Sequence, residues 1–259
     1  MEEMTWPEIK EAMEAGRTTA LLACGASEQH GPHLPTGTDT YLGSAIAERA
    51  ARIAGNALVA PTLRPGLSEH HMHFPGSFSL RIETFVALLE DYCESLARQG
   101  FERIVLFPSH GGNSDVMRAY GPTLARAQRG RCEVIVRAGA DFQKMFDLLA
   151  GRGVGMGAAG VHAGYAETSE MLECQPHLVH MDRAVPGRCD EDFYKPENIG
   201  RSQMESYLEG IQTQSPTGVL GDPTGATAEA GVEILELLAR GVAADATAST
   251  EHVALTQPT

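Results

Sequence analysis

The sequence predicts an α/β fold of three layers, in which helices cover both faces of a mostly parallel sheet. Short apolar runs alternate with longer segments of helical periodicity along most of the chain. This alternation is typical of parallel sheets with crossover helices. The chain has 259 residues, which is long enough to bury a core without disulfide bonds or structural metal ions.

The first two predicted strands flank a predicted helix. Residues 18–24 (TTALLAC) are the first strand, because their apolar run ends at Gly25. Residues 39–54 follow as a helix, since their apolar side chains recur at helical spacing. Residues 57–63 are the second strand, which a Pro-Gly pair terminates.

The alternation continues through the rest of the chain. Residues 82–99 are the clearest helix, because their large apolar side chains fall on one stripe and a glycine follows the last turn. Residues 103–107 (RIVLF) and 133–137 (EVIVR) are β-branched runs and predict two further strands. Helices are predicted between these strands, at 114–129, and near the end of the chain, at 226–240.

The sequence predicts a single domain over residues 1–241, because it contains no internal repeat and no linker-like segment. Residues 151–160 (GRGVGMGAAG) are too rich in glycine for regular structure and are predicted to be a mobile loop near the functional site. Residues 242–259 are small and polar and are predicted to be a partly disordered tail.

Composition excludes several classes of function. The formal net charge of −14 argues against a nucleic-acid partner, since phosphates would be repelled. No apolar run approaches the ~20 residues of a membrane span, and the N-terminus lacks the features of a signal peptide. The five cysteines are widely spaced and form no CxxC pair, which favours reduced, inert thiols in a cytoplasmic protein.

The segment after the first strand, SEQHGPHLPTGTD, offers a group of possible metal ligands. Glu28 and His30 are two residues apart, so in an extended stretch their side chains leave on the same face. The prolines and glycines that follow fix a path that can bring Asp39 to the same place. Asp39 also suits the N-cap of the following helix, and both roles remain open at this point.

His110 follows the third strand, in the segment PSHGGN. A histidine where a strand opens into glycines can reach an ion with little obstruction. The alternative is an ordinary turn with a surface histidine, in which Asn113 or Ser114 caps the following helix. Ligands of parallel sheets collect at the carboxyl ends of the strands, where His110 would meet Glu28, His30 and Asp39. Imidazoles mixed with carboxylates predict a site for zinc, manganese or iron(II).

Two further segments fit the same edge of the sheet. In GLSEHHMHFPG, Ser68 and His70 are predicted to contact substrate, whereas His71 and His73 are predicted to be solvated loop residues. In GVHAGYAETS, His162 and Glu167 are too far apart to share one helical face. They converge if His162 precedes a helix and Glu167 lies in its first turn.

Four blocks, in this order, closely resemble the signatures of the creatininase-like family of amidohydrolases: EQHGPHLPTGTD, SEHHMHFPGSFSL, SHGGN and HAGYAETS. That family includes creatinine amidohydrolases, a formamidopyrimidine-type deformylase and the peptidase that trims the mycofactocin precursor. The resemblance implies two divalent metal ions per subunit. It also implies that Glu28, His30, Asp39 and His110 are ligands, with Asp39 as the bridge, and that the protein is a homo-oligomer, by resemblance a hexamer.

The resemblance also implies roles for two later residues. Creatininase has a further ligand, a glutamate, where this chain has Gly112, so Glu167 is predicted to complete the second metal site. His162 matches the family's active-site histidine and is predicted to protonate the departing nitrogen. Creatininase closes tryptophans over its substrate, whereas the one tryptophan here is Trp6, far from every motif, which argues against creatinine as the substrate.

The predicted function is therefore metal-dependent hydrolysis of a C–N bond in a small cyclic or formyl amide. A processing peptidase and a cyclic-ketone hydrolase are alternatives on the same metal site. A metal-stabilised binding protein without turnover is a third alternative, because the glutamate ligand of creatininase is missing at Gly112.

Overall fold

The computed structural model describes residues 1–137 and 142–248. Within these residues, parallel strands form a four-stranded sheet in the order β2–β1–β3–β4. The strands are β1 (Thr19–Cys24), β2 (Ala57–Val59), β3 (Arg103–Pro108) and β4 (Glu133–Val136). The two central strands, β1 and β3, pair along their whole length.

Helices occupy most of the remaining described chain. They are α1 (Trp6–Glu14), α2 (Thr38–Ala54), α3 (Ile82–Arg98), α4 (Ser114–Ala127), α5 (Phe142–Gly151), α6 (Met156–Ala159), α7 (Tyr165–Cys174), α8 (Pro196–Glu209) and α9 (Ala228–Thr247). This order of elements confirms the predicted α/β class.

The sheet is covered on both faces, because alternate residues of each strand point to opposite sides. Leu22 of β1 and Leu106 of β3 belong to a core that includes buried residues of α3 and α4. Leu21 and Val105, their neighbours in sequence, pack instead with buried residues of α2 and α9. The three-layer arrangement predicted from the sequence is therefore confirmed.

The second strand is shorter than predicted, because the pairing shifts between its two ends. Leu21 pairs with Val59, whereas Cys24 forms an isolated bridge with Leu63, which leaves one extra residue on the outer strand. Pro61 lies in this stretch and has no amide hydrogen for the ladder. The regular strand ends before it.

Residues 151–160 contain more regular structure than predicted. Gly151 is the last residue of α5, and Met156–Ala159 form α6. Leu149 and Ala159 are buried against α9 in one cluster, so apolar packing holds this glycine-rich segment. The prediction of a segment without regular structure was wrong.

The last helix extends further than predicted. Helix α9 continues to Thr247, and Val242, Ala243 and Ala246 are buried against the sheet. The guanidinium of Arg103 at the start of β3 donates to carbonyl oxygens at the end of this helix, at 2.7 Å to Ala246. Residues 242–247 are therefore part of the folded core, and residues 249–259 of the predicted tail lie outside the described residues.

The strand order places a crevice above the centre of the sheet. The chain passes from β1 outward to β2 and then crosses to β3 on the other side of β1. Loops that leave the carboxyl ends of β1 and β3 therefore diverge, and open parallel sheets bind ligands at such points.

Among the described helices, none is long and apolar enough to span a membrane. The five cysteines are unpaired. Burial raises the pKa of the Cys93 thiol to about 12, which agrees with the prediction of inert thiols.

Candidate metal centre

The five predicted ligands meet at the crevice between β1 and β3. Glu28 and His30 lie in the segment after β1, and His110 follows β3. Asp39 lies in the first turn of α2, and Glu167 in the first turn of α7. All except Glu167 are at most 5% exposed. Residues distant in the chain thus form one buried cluster.

Asp39 is the centre of this cluster. Its Oδ1 lies 3.2 Å from Nε2 of His30, and its Oδ2 lies 3.3 Å from Nδ1 of His110. That same His110 nitrogen is 3.3 Å from Oε1 of Glu28, and Oε2 of Glu167 is 3.7 Å from the His30 nitrogen. Each oxygen of Asp39 therefore faces a different histidine, so the carboxylate lies between the two imidazoles.

The arrangement fits divalent cations. Both carboxylate oxygens of Glu28, Nε2 of His30 and Oδ2 of Asp39 are buried, and no described residue offers them a hydrogen bond. Buried polar atoms without partners are costly. Two ligand atoms at tetrahedral positions around zinc, each about 2.0–2.1 Å from it, lie about 3.3 Å apart. The observed separations match atoms that share an ion, so the donor set fits the metal site that the sequence predicts.

In both His30 and His110, the nitrogen that points away from the cluster donates to a backbone carbonyl. His30 donates through Nδ1 to the Glu28 carbonyl at 3.2 Å, and His110 donates through Nε2 to the Leu67 carbonyl at 3.0 Å. Such bonds fix the ring orientation and the nitrogen that faces the metal. His30 thereby presents Nε2 to the cluster, and His110 presents Nδ1.

Gly112 leaves room for one of these bonds. A Cβ atom on Gly112 would lie 2.4 Å from His110 Nε2 and 2.4 Å from the Leu67 carbonyl oxygen, whereas one on Gly111 would meet no atom within 4 Å. Any side chain at 112 would therefore push the hydrogen-bonded pair apart. The position where creatininase has a glutamate is occupied here by the backbone alone.

The side chains of the cluster have shifted pKa values. Burial by itself would lower the pKa of His30, but Asp39, Glu167 and Glu28 outweigh it and raise that pKa to about 10. Burial raises the pKa of Glu167 to about 7, against the opposing effect of His30. Burial would also raise the pKa of Asp39, but His30 and His110 lower it. A metal ion must displace the His30 proton to bind.

Asn113 ties the loops of the site together. It is fully buried, and its side-chain oxygen accepts from the backbone N–H of Leu67 at 3.0 Å. Its amide nitrogen donates to the carbonyl oxygens of Cys24 and Gly25, each at 3.0 Å. One side chain thus joins the end of β1 to the loop after β2. The sequence predicted only a possible helix cap for Asn113.

His162 lies beside both Glu28 and His30 in the cluster. Its Nε2 donates to the Gln29 carbonyl at 2.7 Å, and its Nδ1 lies 3.7 Å from Oε1 of Glu28. Its ring centroid is 4.3 Å from that of His30. Burial lowers the pKa of His162 well below its ordinary value. A neutral imidazole here can accept a proton through Nδ1 and return it.

The convergence expected for His162 and Glu167 is observed. His162 precedes α7 and Glu167 lies in its first turn. Nitrogen and carboxylate atoms of these two residues and His30 lie within 4.8 Å of one another. Glu167 also accepts the backbone N–H of Ala163 at 2.5 Å, which fixes the start of the helix against the cluster.

His71 was predicted to be a solvated loop residue, and this prediction was wrong. It is 1% exposed, and its Nε2 lies 3.3 Å from Oε1 of Glu28. Its Nδ1 lies 2.9 Å from the side-chain nitrogen of Gln29, a buried residue for which the sequence predicted no role. His73 is exposed, as predicted. Nothing in the local sequence distinguishes the two histidines, because the difference arises from contacts with the loop after β1.

The two residues predicted to contact substrate, Ser68 and His70, lie in different environments. His70 lines the cavity beside the cluster and lies 4.6 Å from Tyr207 of α8, measured between ring centroids. Ser68 is fully buried, and its hydroxyl has no hydrogen-bond partner among the described residues. Ser68 does not line this cavity, whereas His70 does.

The cluster opens into a cavity of about 390 Å³. Glu28, Asp39, His110, His162 and Glu167 line one end of it. The remaining walls combine aromatic side chains with polar groups, mainly from α4, α5 and α8. They include Asp115, Arg118, Phe142, Phe146, Phe193, Ser202, Gln203, Ser206 and Tyr207.

Comparison with known proteins assigns the family. The sequence model of the family called Creatininase and described as creatinine amidohydrolase matches residues 2–245. The chain belongs to the creatininase family. It is 32% identical to the creatinine amidohydrolase of Pseudomonas putida, over 93% of each chain. It is also 32% identical to a mycofactocin precursor peptide peptidase of Mycobacterium ulcerans, over 89% of this chain and 80% of that protein.

Solved creatininase structures share the fold. The structure titled "Creatininase Mn" superposes with a TM-score of 0.76 and 28% identity, over 95% of this chain and 96% of that one. Its title names manganese, one of the metals that the donor set predicts. This member of the creatininase family is therefore a hydrolase of a metal-binding family, related equally to amidohydrolases and to peptide peptidases.

Proposed function

We propose that this creatininase-family protein hydrolyses a C–N bond of an amide at a centre of two divalent metal ions. Glu28, His30, Asp39, His110 and Glu167 would hold the ions, with Asp39 between them. The observation that carries the proposal is the convergence of buried carboxylate and imidazole atoms that lack hydrogen-bond partners within the described chain. When bound, such ions act as Lewis acids toward water and toward the carbonyl of the substrate.

Proton transfer in this reaction is assigned to His162. Its Nδ1 faces the cluster, while its Nε2 stays bonded to the Gln29 carbonyl. The ring can therefore pass a proton through Nδ1 to the departing nitrogen without changing its orientation. His70 borders the cavity and would contact the substrate. Ser68 is fully buried, so it would contact the substrate through a movement of its loop on binding.

The substrate is proposed to be a small molecule, with a cyclic or formyl amide as the first candidate. The second candidate is a short peptide, so that the protein would be a processing peptidase. Two observations favour it. The cavity of about 390 Å³ has room for more than a small ring, and the relatives include peptidases of the mycofactocin precursor. The protein's only tryptophan, Trp6, is 76% exposed on α1, so no tryptophan closes this cavity.

A substrate panel tests the proposal. Purified protein, with its metal content measured, would be incubated with cyclic amides, formamides, short peptides and cyclic ketones. Hydrolysis of an amide that stops on chelation and returns with added Zn²⁺ or Mn²⁺ supports the proposal. Turnover of cyclic ketones alone would replace it with C–C hydrolysis. Metal in every preparation without any turnover would favour a binding protein.

We also propose that the protein is cytoplasmic and forms a homo-oligomer. The acidic composition and the unpaired cysteines support the location. The family resemblance supports a hexamer, which sedimentation or light scattering would test.

A further inference from the structure

A chain of polar contacts connects Gln29 to Glu28 through His71, and the donor in each contact can be assigned. The backbone N–H of Gly31 lies 2.8 Å from Oε1 of Gln29. An N–H can only donate, so this atom must be the amide oxygen. The amide nitrogen, Nε2, lies 3.3 Å from the carbonyl oxygen of Gly218, which can only accept. Two backbone groups therefore fix the orientation of the Gln29 amide.

That orientation determines the tautomer of His71. Gln29 Nε2 lies 2.9 Å from His71 Nδ1. Gln29 Nε2 also lies 3.0 Å from Nε2 of His162, but that nitrogen carries the proton donated to the Gln29 carbonyl and cannot accept. The two amide hydrogens are therefore left for Gly218 and His71, so His71 Nδ1 accepts and carries no proton. A neutral imidazole has one proton, which is then on Nε2. This Nε2–H faces Oε1 of Glu28 at 3.3 Å.

Two other histidines face the same oxygen with the opposite tautomer. Nδ1 of His110 lies 3.3 Å from Glu28 Oε1, and Nδ1 of His162 lies 3.7 Å from it. Both rings donate through Nε2 to a backbone carbonyl oxygen. Their inward nitrogens are therefore free to hold a metal ion or to exchange a proton. Of the three, His71 alone presents an N–H to the carboxylate.

We infer that His71 is a positioning residue of the metal centre. Gln29 keeps it as the Nε2–H tautomer, and it orients the Glu28 carboxylate without ligating a metal itself. The inference rests on the proposed function, in which Glu28 is a ligand. The outer polar partners of ligating carboxylates orient them and support metal affinity. At 1% exposure His71 leaves no space for water to take over this role.

The first test reads the tautomer directly. In zinc-loaded protein labelled with ¹⁵N-histidine, long-range ¹H–¹⁵N correlations distinguish Nε2–H from Nδ1–H rings. The signals of His71 are identified by their loss in His71→Gln. We expect the Nε2–H form in the wild type. We expect Gln29→Glu to move the proton to Nδ1, because a carboxylate there can only accept. An Nδ1–H ring with zinc on Nε2 in the wild type would overturn the inference.

The second test uses two replacements of similar size. In His71→Gln the new amide can accept from Gln29 and donate to Glu28, whereas His71→Met can do neither. Titration with Zn²⁺ should give the wild-type number of sites in both variants. Affinity should fall about 10–100-fold in His71→Met and be largely retained in His71→Gln. Loss of one bound zinc in both variants would make His71 a ligand, and wild-type affinity in His71→Met would remove its role.

A matched control variant is available, and failure of the proposed function can be distinguished from failure of the role assigned to His71. His73→Gln changes an exposed histidine two residues away and should leave zinc binding unchanged. If the wild type binds no zinc, the proposed function fails, and the tautomer in metal-free protein still decides the assignment of His71. If the wild type binds zinc and hydrolyses amides but His71 is Nδ1–H, only the inference fails.

Discussion

Nδ1 of His110 lies 3.3 Å from Oδ2 of Asp39, although the first residue follows strand β3 and the second begins helix α2. The two atoms do not form a hydrogen bond, because Oδ2 of Asp39 has no hydrogen-bond partner among the described residues. Two groups that meet in this way, in a buried crevice, are expected to depend on a cation between them.

Glu28→Gln and Asp39→Asn should each lose bound metal, because the replacement removes a charge while keeping the shape. The expected result is at least one ion fewer per subunit, measured by elemental analysis of purified protein. Asp115→Asn is the matched control, since Asp115 borders the same cavity but is exposed and paired with Arg118. Unchanged metal content in the first two variants would reject their roles as ligands.

His162→Ala should retain its metal ions and lose most of its turnover. Removal of a general acid or base typically costs ~100-fold or more. The measurement is kcat on whichever amide the panel identifies, together with metal content. An exposed histidine, His73, provides the control as His73→Ala. Full activity in His162→Ala would show that another group handles the proton.

Gly112→Ala should weaken metal binding, whereas Gly111→Ala should not. The added methyl at 112 would lie 2.4 Å from both atoms of the His110–Leu67 hydrogen bond, and the methyl at 111 would meet nothing within 4 Å. Disturbing the outer partner of a ligand histidine typically costs 10–100-fold in metal affinity. Competition with a chelating dye would measure the two variants side by side. Equal affinities would mean that the loop adjusts without cost.

Asn113→Ala should lower the melting temperature by several degrees. The change leaves the Leu67 N–H and the carbonyl oxygens of Cys24 and Gly25 without their partner. Each buried group left unpaired costs about 1–3 kcal/mol, and 1 kcal/mol shifts the melting temperature of a chain of this size by roughly 2–4 °C. Asn198→Ala, which removes an exposed hydrogen bond, is the comparison in the same calorimetric experiment.

The stability of metal-stripped protein should fall as the pH rises above 6. The folded-state pKa of Glu167 is raised to about 7, chiefly by burial, and that of His30 to about 10 by the carboxylates that outweigh its burial. Folding therefore favours the protonated forms, and this stabilisation is lost as the pH passes first 7 and then 10. A metal ion replaces these protons, so the gap in melting temperature between zinc-loaded and stripped protein should widen from pH 6 to pH 9. A constant gap would contradict this linkage.

Much of the fold was accessible from the sequence because hydrophobic periodicity determines it directly. The four strands and the helices between them followed from apolar runs and glycine stops, and Glu28, His30 and His110 stood out because each follows a strand. The bulge at Pro61 and the extent of α9 were missed. Both depend on pairing and packing with distant residues, such as the contact between Arg103 and Ala246.

The residues that surround the predicted metal ligands were the hardest part of the site to predict from the sequence. His71 and His73 lie two residues apart in the same loop, and contacts of His71 with Gln29 and Glu28, distant in the sequence, distinguish the buried one. Asn113 resembled a helix cap because its partners, Leu67 and Cys24, lie far away in the chain. A residue that supports the site through contacts with distant parts of the chain leaves no recognisable pattern in the sequence around it.

The end of helix α9 has a practical consequence for handling the protein. A version trimmed at residue 241 would discard the end of α9 that carries Val242 and Ala246. It would expose the apolar side chains packed against them and remove the carbonyl oxygen of Ala246 to which Arg103 donates. Aggregation during expression is the expected penalty. An affinity tag fused beyond residue 248 leaves the end of α9 intact.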